Sequence, residues 1–178
     1  MRRSLPACLF ALLAIPVSPQ PSVAQADSQS PPRCADARHR QFDFWIGEWD
    51  VITPDGKRAG TNTIRRVLDG CALEERWTGA TGSVGTSLNI FTPATGTWHQ
   101  TWVDNGGLLL QLDGRFDGSM KLAGQTTGEN GGRTHHRLTF TPRPDGGLRQ
   151  VWESSTDGTT WSVVFDGTYV RKRGTPAS

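Results

Sequence analysis

Beyond residue 46 apolar and polar positions alternate in short runs, and each run stops at a small turn-forming pair. Trp98, Gln100 and Trp102 share one face of an extended segment, with His99, Thr101 and Val103 on the other. Leu108, Leu110, Leu112 and Phe116 share a face, as do Met120 and Leu122. Leu138 and Phe140 align with Thr134 and His136, and Phe165 aligns with Tyr169. A period of two marks half-buried strand. Nine Asp-Gly or Asn-Gly pairs, beginning at Asp55, Asp69, Asn105, Asp113, Asp117, Asn130, Asp145, Asp157 and Asp166, punctuate these runs. Thr-Gly pairs at Thr81 and Thr95 add two more. Asx-Gly pairs are strong hairpin signals because both residues accept positive φ. One turn per cluster places centres near 55, 69, 81, 95, 106, 117, 130, 145 and 157, which separates ten strands. Asp113 and Asp166 then fall inside strands, where bulges are expected. Only Arg38 to Ile46 carries helical spacing, a turn or two with Phe42, Trp45 and Ile46 on one side.

Ten strands in sequence order with tight turns predict an all-β fold: a single up-and-down antiparallel barrel of about ten strands, with a short helical turn before the first. Closure also removes exposed strand edges. A two-sheet sandwich usually needs longer crossing connections, and a propeller needs a repeat per blade, which the chain lacks. The barrel is expected over residues 38–173, with 174–178 as a tail.

The first residues have a different character. Arg2 and Arg3 precede an apolar run from Leu5 to Val17, and Ala24-Gln25-Ala26 is a small-x-small cleavage site before Asp27. These are the three parts of a secretory signal. Thirteen apolar residues with two prolines are too short to span a bilayer, and no later stretch reaches the ~20 residues a span requires. The expectation is a signal peptide over 1–26, cleaved after Ala26, and a bacterial periplasmic or secreted protein. Residues 27–37, polar and bearing Pro31 and Pro32, read as a loose leader.

Export changes the reading of the cysteines. Cys8 leaves with the signal, so Cys34 and Cys71 remain, and an exported chain with two cysteines is expected to join them. No CxxC exists, and two cysteines alone make a weak metal site. Charge excludes another class. The chain has 19 Lys+Arg against 17 Asp+Glu, and losing Arg2 and Arg3 brings the balance to zero. A nucleic-acid binder needs a basic field, so none is expected as a partner.

Phe42-Asp43-Phe44-Trp45-Ile46-Gly47-Glu48-Trp49-Asp50-Val51 resembles the opening of a family of exported bacterial proteins similar to the calycins, the group that holds lipocalins and nitrobindins. The resemblance continues through Gly70 to Trp77, Trp98 to Asp104, Trp152 to Gly158 and Trp161, and so covers nearly all of residues 38–172. It implies a calycin barrel in which Trp49 packs across the closed end and a basic residue near the last strand, Arg171 or Arg173, stacks on it. Trp45, Gly47, Trp49 and Arg171 are then fold residues. It also implies a small apolar ligand inside the cup. Nitrobindin-like relatives hold haem through a histidine. The last strand here, Thr160 to Arg171, has none, so no cofactor and no metal are expected. His136 alone alternates inward; His99 and His135 fall outward, and His39 is placed with the leader.

Gln-x-Trp occurs twice, as Gln100-Thr101-Trp102 and Gln150-Val151-Trp152, with Gln and Trp on one face each time. An amide beside an indole suits a small molecule, offering one flat apolar wall and one group that both donates and accepts. Trp98 extends the first pair. Asn62, Glu75, Trp77, Ser87 and Asn89 come from strands near in order. Glu75 shares a face with Leu73 and Trp77, which would desolvate its carboxylate. The bland alternative is a core in which Trp98, Trp102 and Trp152 fill the barrel and the glutamines bond each other or backbone. Which face of strand 83–91 looks inward is open, because Val84, Leu88 and Ile90 oppose Ser87 and Asn89. A sugar-binding trefoil would need a third Gln-x-Trp unit. Enzyme signals are few: no Gly-x-Ser-x-Gly and no H-E-x-x-H appear. A Glu75–Glu153 acid pair would be split, since Glu153 alternates away from Trp152.

Three function classes follow. The first is an exported protein that binds a small, largely apolar or aromatic molecule without catalysis. The second is a filled barrel that acts by interaction. The third is an enzyme on a small ligand using Glu75. The oligomeric state is not written in this pattern. N-terminal sequencing of the exported protein is expected to begin at Asp27; a start at Met1 would remove the export reading.

Overall fold

The computed structural model of the chain describes residues 34–172. The expected signal segment 1–26 and its expected cleavage site, most of the 27–37 leader, Arg173 and the 174–178 tail lie outside the described residues. Ten strands follow in order: β1 (Gly47–Ile52), β2 (Arg58–Val67), β3 (Ala72–Gly79), β4 (Val84–Thr92), β5 (Thr97–Asp104), β6 (Leu109–Phe116), β7 (Met120–Thr127), β8 (Arg133–Pro142), β9 (Leu148–Ser155) and β10 (Ser162–Arg171). Each pairs antiparallel with its neighbours in sequence, and β1 pairs with β10, so the sheet closes into an up-and-down barrel. Two 3-10 turns, Ala37–Arg40 and Asp43–Trp45, precede β1.

The nine turns fall at the nine expected centres, but their chemistry differs from the expectation. Each carries one glycine at positive φ, whereas among the Asp, Asn and Thr residues before them only Asp69 is left-handed. At the β1–β2 turn the Gly56 N–H donates to the Thr53 carbonyl (2.9 Å), and the Thr53 N–H donates to the Lys57 carbonyl (2.9 Å). The same pair of bonds recurs at Gly79–Ser83, Asp104–Leu108, Gly128–Gly132 and Arg143–Gly147. These are three-residue loops ending on a left-handed glycine, in which the Asx residue need not leave the right-handed half of conformational space. The bulges expected at Asp113 and Asp166 are absent there: Asp113 pairs regularly with His99 and Ala123, and Asp166 with Val151. The register shifts instead between Val51 and Ile52 and between Val163 and Phe165. Gly114 has a different purpose, since a Cβ there would overlap the Lys121 carbonyl of β7.

One end of the barrel is packed shut. Phe42 stacks on Trp45 (ring centroids 4.8 Å) and meets Trp98 and Phe140 edge-on (5.6 and 5.1 Å). Trp45 lies 4.8 Å from Phe140. His39, placed with the leader from sequence, is instead buried in the first 3-10 turn and lies edge-on to Phe91 at 5.1 Å. The Trp49 indole N–H donates to the Trp45 carbonyl (2.9 Å), and the Arg171 guanidinium lies 4.3 Å over its ring. Arg171 also donates to the Ile46 carbonyl (3.2 Å). Gly47 has φ +144°, and a Cβ there would sit 2.5 Å from Arg171 Nη1, so the first position of Gly-x-Trp is fixed by conformation and by space.

Cys34 and Cys71 are joined by a disulfide, with Cα atoms 5.0 Å apart. The bond pins the end of the leader to the turn before β3, and the Arg40 guanidinium holds both sides by donating to the Cys34 and Gly70 carbonyls. The leader is therefore anchored from Cys34 onward. Closing a 37-residue separation stabilises the fold by about 4 kcal/mol in the chain-entropy view.

Trp49 is fully buried and tied to both Trp45 and Arg171. Trp49→Ala is expected to cost about 3–5 kcal/mol, read from the midpoint of denaturant unfolding. An unchanged midpoint would show that the closed end does not depend on it.

Candidate functional site

The other half of the barrel is open. A cavity of about 530 Å³ runs inward from the end that carries the β1–β2, β3–β4 and β5–β6 turns. Its walls include Trp77 of β3, Trp102 of β5, Trp152 of β9 and Phe165 of β10. Glu75, Gln100, Gln150 and Tyr169 line it deeper in, and Leu110 and Leu138, register partners of Trp102 and Trp152, complete the wall. Asp55, Lys57, Arg58 and Asp104 stand at its mouth.

The space exists because wide indoles stand opposite residues without side chains. A Cβ at Gly85 would run into the Trp102 ring, and one at Gly60 would lie 2.8 Å from the Trp77 ring. Gly85 is the β4 partner of Trp77, and Gly60 pairs with Gly79. Each indole N–H is committed to the wall: Trp77 to Ser83 Oγ (3.2 Å), Trp102 to Asp104 Oδ2 (3.2 Å) and Trp152 to His136 Nδ1 (3.2 Å). Phe165 meets Trp77 edge-on at 5.8 Å. The rings are thus fixed before anything arrives, which lowers the ordering cost of binding.

Beneath the rings lies a polar cluster. Glu75 is 4% exposed. Its Oε1 accepts from Asn62 Nδ2 (2.7 Å) and its Oε2 from the Ser87 hydroxyl (2.6 Å). Asn89 Nδ2 donates to Ser87 Oγ (2.9 Å), as does Gln100 Nε2 (3.4 Å). Asn62 Nδ2 also reaches the Tyr169 hydroxyl (3.2 Å), which donates to Gln150 Oε1. Burial pushes the Glu75 carboxyl up to about 7, with the Ser87 and Asn62 bonds opposing it only in part. Burial, with the Glu75 charge, also raises Tyr169. Burial lowers His136, with His135 nearby adding to the effect.

Of the residues expected at a site, Glu75, Trp77, Gln100, Trp102, Gln150 and Trp152 meet in the cavity. Asn62, Ser87 and Asn89 do not line it; they are buried behind Glu75 as its hydrogen-bonding support. Trp98 belongs to the packed end, its ring against Phe42 and Phe91 and its N–H donating to Gln41 (3.3 Å). The core reading and the pocket reading thus each describe one half of the barrel. The open question on β4 is answered as well: Gly85, Ser87, Asn89 and Phe91 face inward, and Val84, Leu88 and Ile90 are exposed. Glu153 points outward and is held by Arg137 (2.7 Å), so it makes no pair with Glu75. Sequence reasoning did not assign Phe165 and Tyr169 to the site. Their shared face was visible, and Tyr169 is the chain's one tyrosine, but no motif marked it.

Among the described residues no three His, Cys, Asp or Glu side chains gather as a metal site, and no helix is long and apolar enough to cross a membrane. The chain matches no family model and no curated protein.

A carboxyl raised from 4.5 to about 7 holds its proton more tightly folded than unfolded, so its contribution to stability is full below pH 4.5 and is lost as pH rises through about 7. Glu75→Gln removes that dependence. The wild type is expected to lose on the order of 3 kcal/mol relative to Glu75→Gln between pH 4.5 and 7.5, measured by paired urea titrations. Parallel pH profiles would show that Glu75 is not desolvated.

Proposed function

We propose that this chain is an exported, calycin-like binding protein that holds one small, largely apolar or aromatic molecule in the open half of its barrel, without catalysis. The observation that carries this reading is the cavity of about 530 Å³ walled by Trp77, Trp102, Trp152 and Phe165 over Glu75, Gln100 and Gln150. Its size falls within the ~300–1,000 Å³ range of small-molecule sites, and a mostly apolar wall with a few convergent polar groups is their usual composition. The Trp49–Arg171 stack at the opposite end supports the calycin resemblance. The signal-like N-terminus and the Cys34–Cys71 bond support export to an oxidising compartment.

The second reading, an enzyme, draws on Glu75, because a buried carboxyl poised near neutrality suits a general acid or base. The one hydroxyl bonded to it, that of Ser87, does not line the cavity, and among the described residues no second carboxyl bonds to it, its partners being Asn62 and Ser87. The filled-barrel reading draws on the packed end alone.

Titration with 1-naphthol, followed by tryptophan fluorescence, tests the binding reading. Saturable binding is expected, and Trp102→Ala should weaken it at least tenfold by removing one wall, a loss of about 1.5–3 kcal/mol. No saturation, or an affinity indifferent to Trp102, would end the assignment of the cup as the binding site.

A further inference from the structure

At the floor of the cup the lining groups that hydrogen-bond are neutral apart from Glu75. The amides of Asn62, Asn89 and Gln100 and the hydroxyls of Ser87 and Tyr169 already donate within the barrel. Glu75 has only neutral partners, Asn62 and Ser87, among the described residues. The cations at the mouth are engaged elsewhere, Lys57 with Asp55 (2.6 Å) and Arg58 with Asp50 (3.2 Å). A buried carboxylate without a counter-ion is costly, and a fold that needed only packing would place an apolar residue there. Around it stand Trp77, Trp102 and Trp152, whose ring faces attract cations.

We propose that the cup takes a monocationic amine, its ammonium group seated on Glu75 and its apolar body held among Trp77, Trp102 and Trp152. This rests on the reading of the cup as a small-molecule site and names the class of molecule it selects. The ammonium supplies the positive charge that the floor lacks. A carboxylic acid would meet the like charge of Glu75, and a neutral alcohol would leave that charge uncompensated. Glu75 is hydrogen-bonded from β2 by Asn62 and from β4 by Ser87, Gln100 of β5 bonds that Ser87 hydroxyl, and Tyr169 of β10 feels the Glu75 charge. Of these only Tyr169 titrates, and burial moves it further from neutrality. His136 on β8 also faces inward, with its proton affinity lowered by burial. The charged groups at the mouth are Asp55, Lys57, Arg58 and Asp104.

Three probes of matched shape decide the matter: 2-(1-naphthyl)ethylamine, 2-(1-naphthyl)ethanol and 1-naphthylacetate, titrated calorimetrically into the mature protein. The amine is expected to bind at least tenfold tighter than the alcohol, with the acid weakest. Amine affinity should climb as pH rises toward about 7, where Glu75 ionises, while alcohol affinity stays level. In Glu75→Gln, amine affinity should drop to within threefold of the alcohol measured on the same variant. Alcohol or acid binding as tightly as the amine in the wild type overturns the proposal without touching the cup. So does an amine preference unchanged by pH or by Glu75→Gln. The comparison of probes in the wild type needs no variant, so it stands even if Glu75→Gln fails to fold. If none of the three probes binds, the cup reading itself fails and the amine falls with it.

Discussion

The guanidinium of Arg171 over the indole of Trp49 joins the strands that close the barrel. Trp49 and Arg171 are register partners on β1 and β10, the pair that turns a ten-strand ribbon into a cylinder. The contact is more than a stack. Arg171 also caps the Ile46 carbonyl, Trp49 donates to the Trp45 carbonyl, and Gly47 lacks the Cβ that would block the guanidinium. The polypeptide is thereby folded over the barrel end, which drives Phe42 and Trp45 into the interior against Trp98 and Phe140. The Cys34–Cys71 bond fastens the same segment from outside. A barrel of ten strands is too wide for every inward side chain to meet its opposite. Packing one end with this aromatic cluster provides the stability that leaves the other end open.

The open half is shaped by subtraction as much as by its tryptophans. Gly60 and Gly85 give up inward side chains where Trp77 and Trp102 lie, and the indoles spread flat along the wall. Their N–H groups bond to Ser83 and Asp104, so the rings are held as surfaces. Below them Asn62 and Ser87 grip Glu75 from the flanking strands, and Gln150 takes the Tyr169 hydroxyl. The result is a rigid apolar collar above a desolvated carboxyl.

Most of the fold was legible because its signals are local. Strand count, turn positions and the up-and-down order follow from the Asx-Gly punctuation and the period of two. The turn type was not, because a glycine in αL can end a type I loop without its Asx neighbour leaving the ordinary region, and the dipeptide looks the same in both cases. The faces of β4 were illegible for another reason. Its inward positions around Glu75 are Gly85, Ser87 and Asn89, while Leu88 and Ile90 face solvent at 51% and 40% exposure, so the usual hydrophobic rule points the wrong way. Inward polarity of this kind is a mark of the site. At the site, alternation identified the inward faces of Glu75, Trp77, Gln100, Trp102, Gln150 and Trp152. It carried no information on depth. Trp98 and Trp102 share a face four residues apart, yet one belongs to the plug and the other to the cup. Only the position of each residue along the barrel axis, set by the register of all ten strands, separates them.

The division of the barrel into a packed end and an open cup is tested most directly by diffraction from crystals grown with saturating 1-naphthol. The account predicts ligand density among Trp77, Trp102 and Trp152, with Phe42, Trp45, Trp49 and Trp98 unmoved. Indoles of Trp77 and Trp102 collapsed into the interior, with the naphthol on an outer face of the sheet, would contradict it.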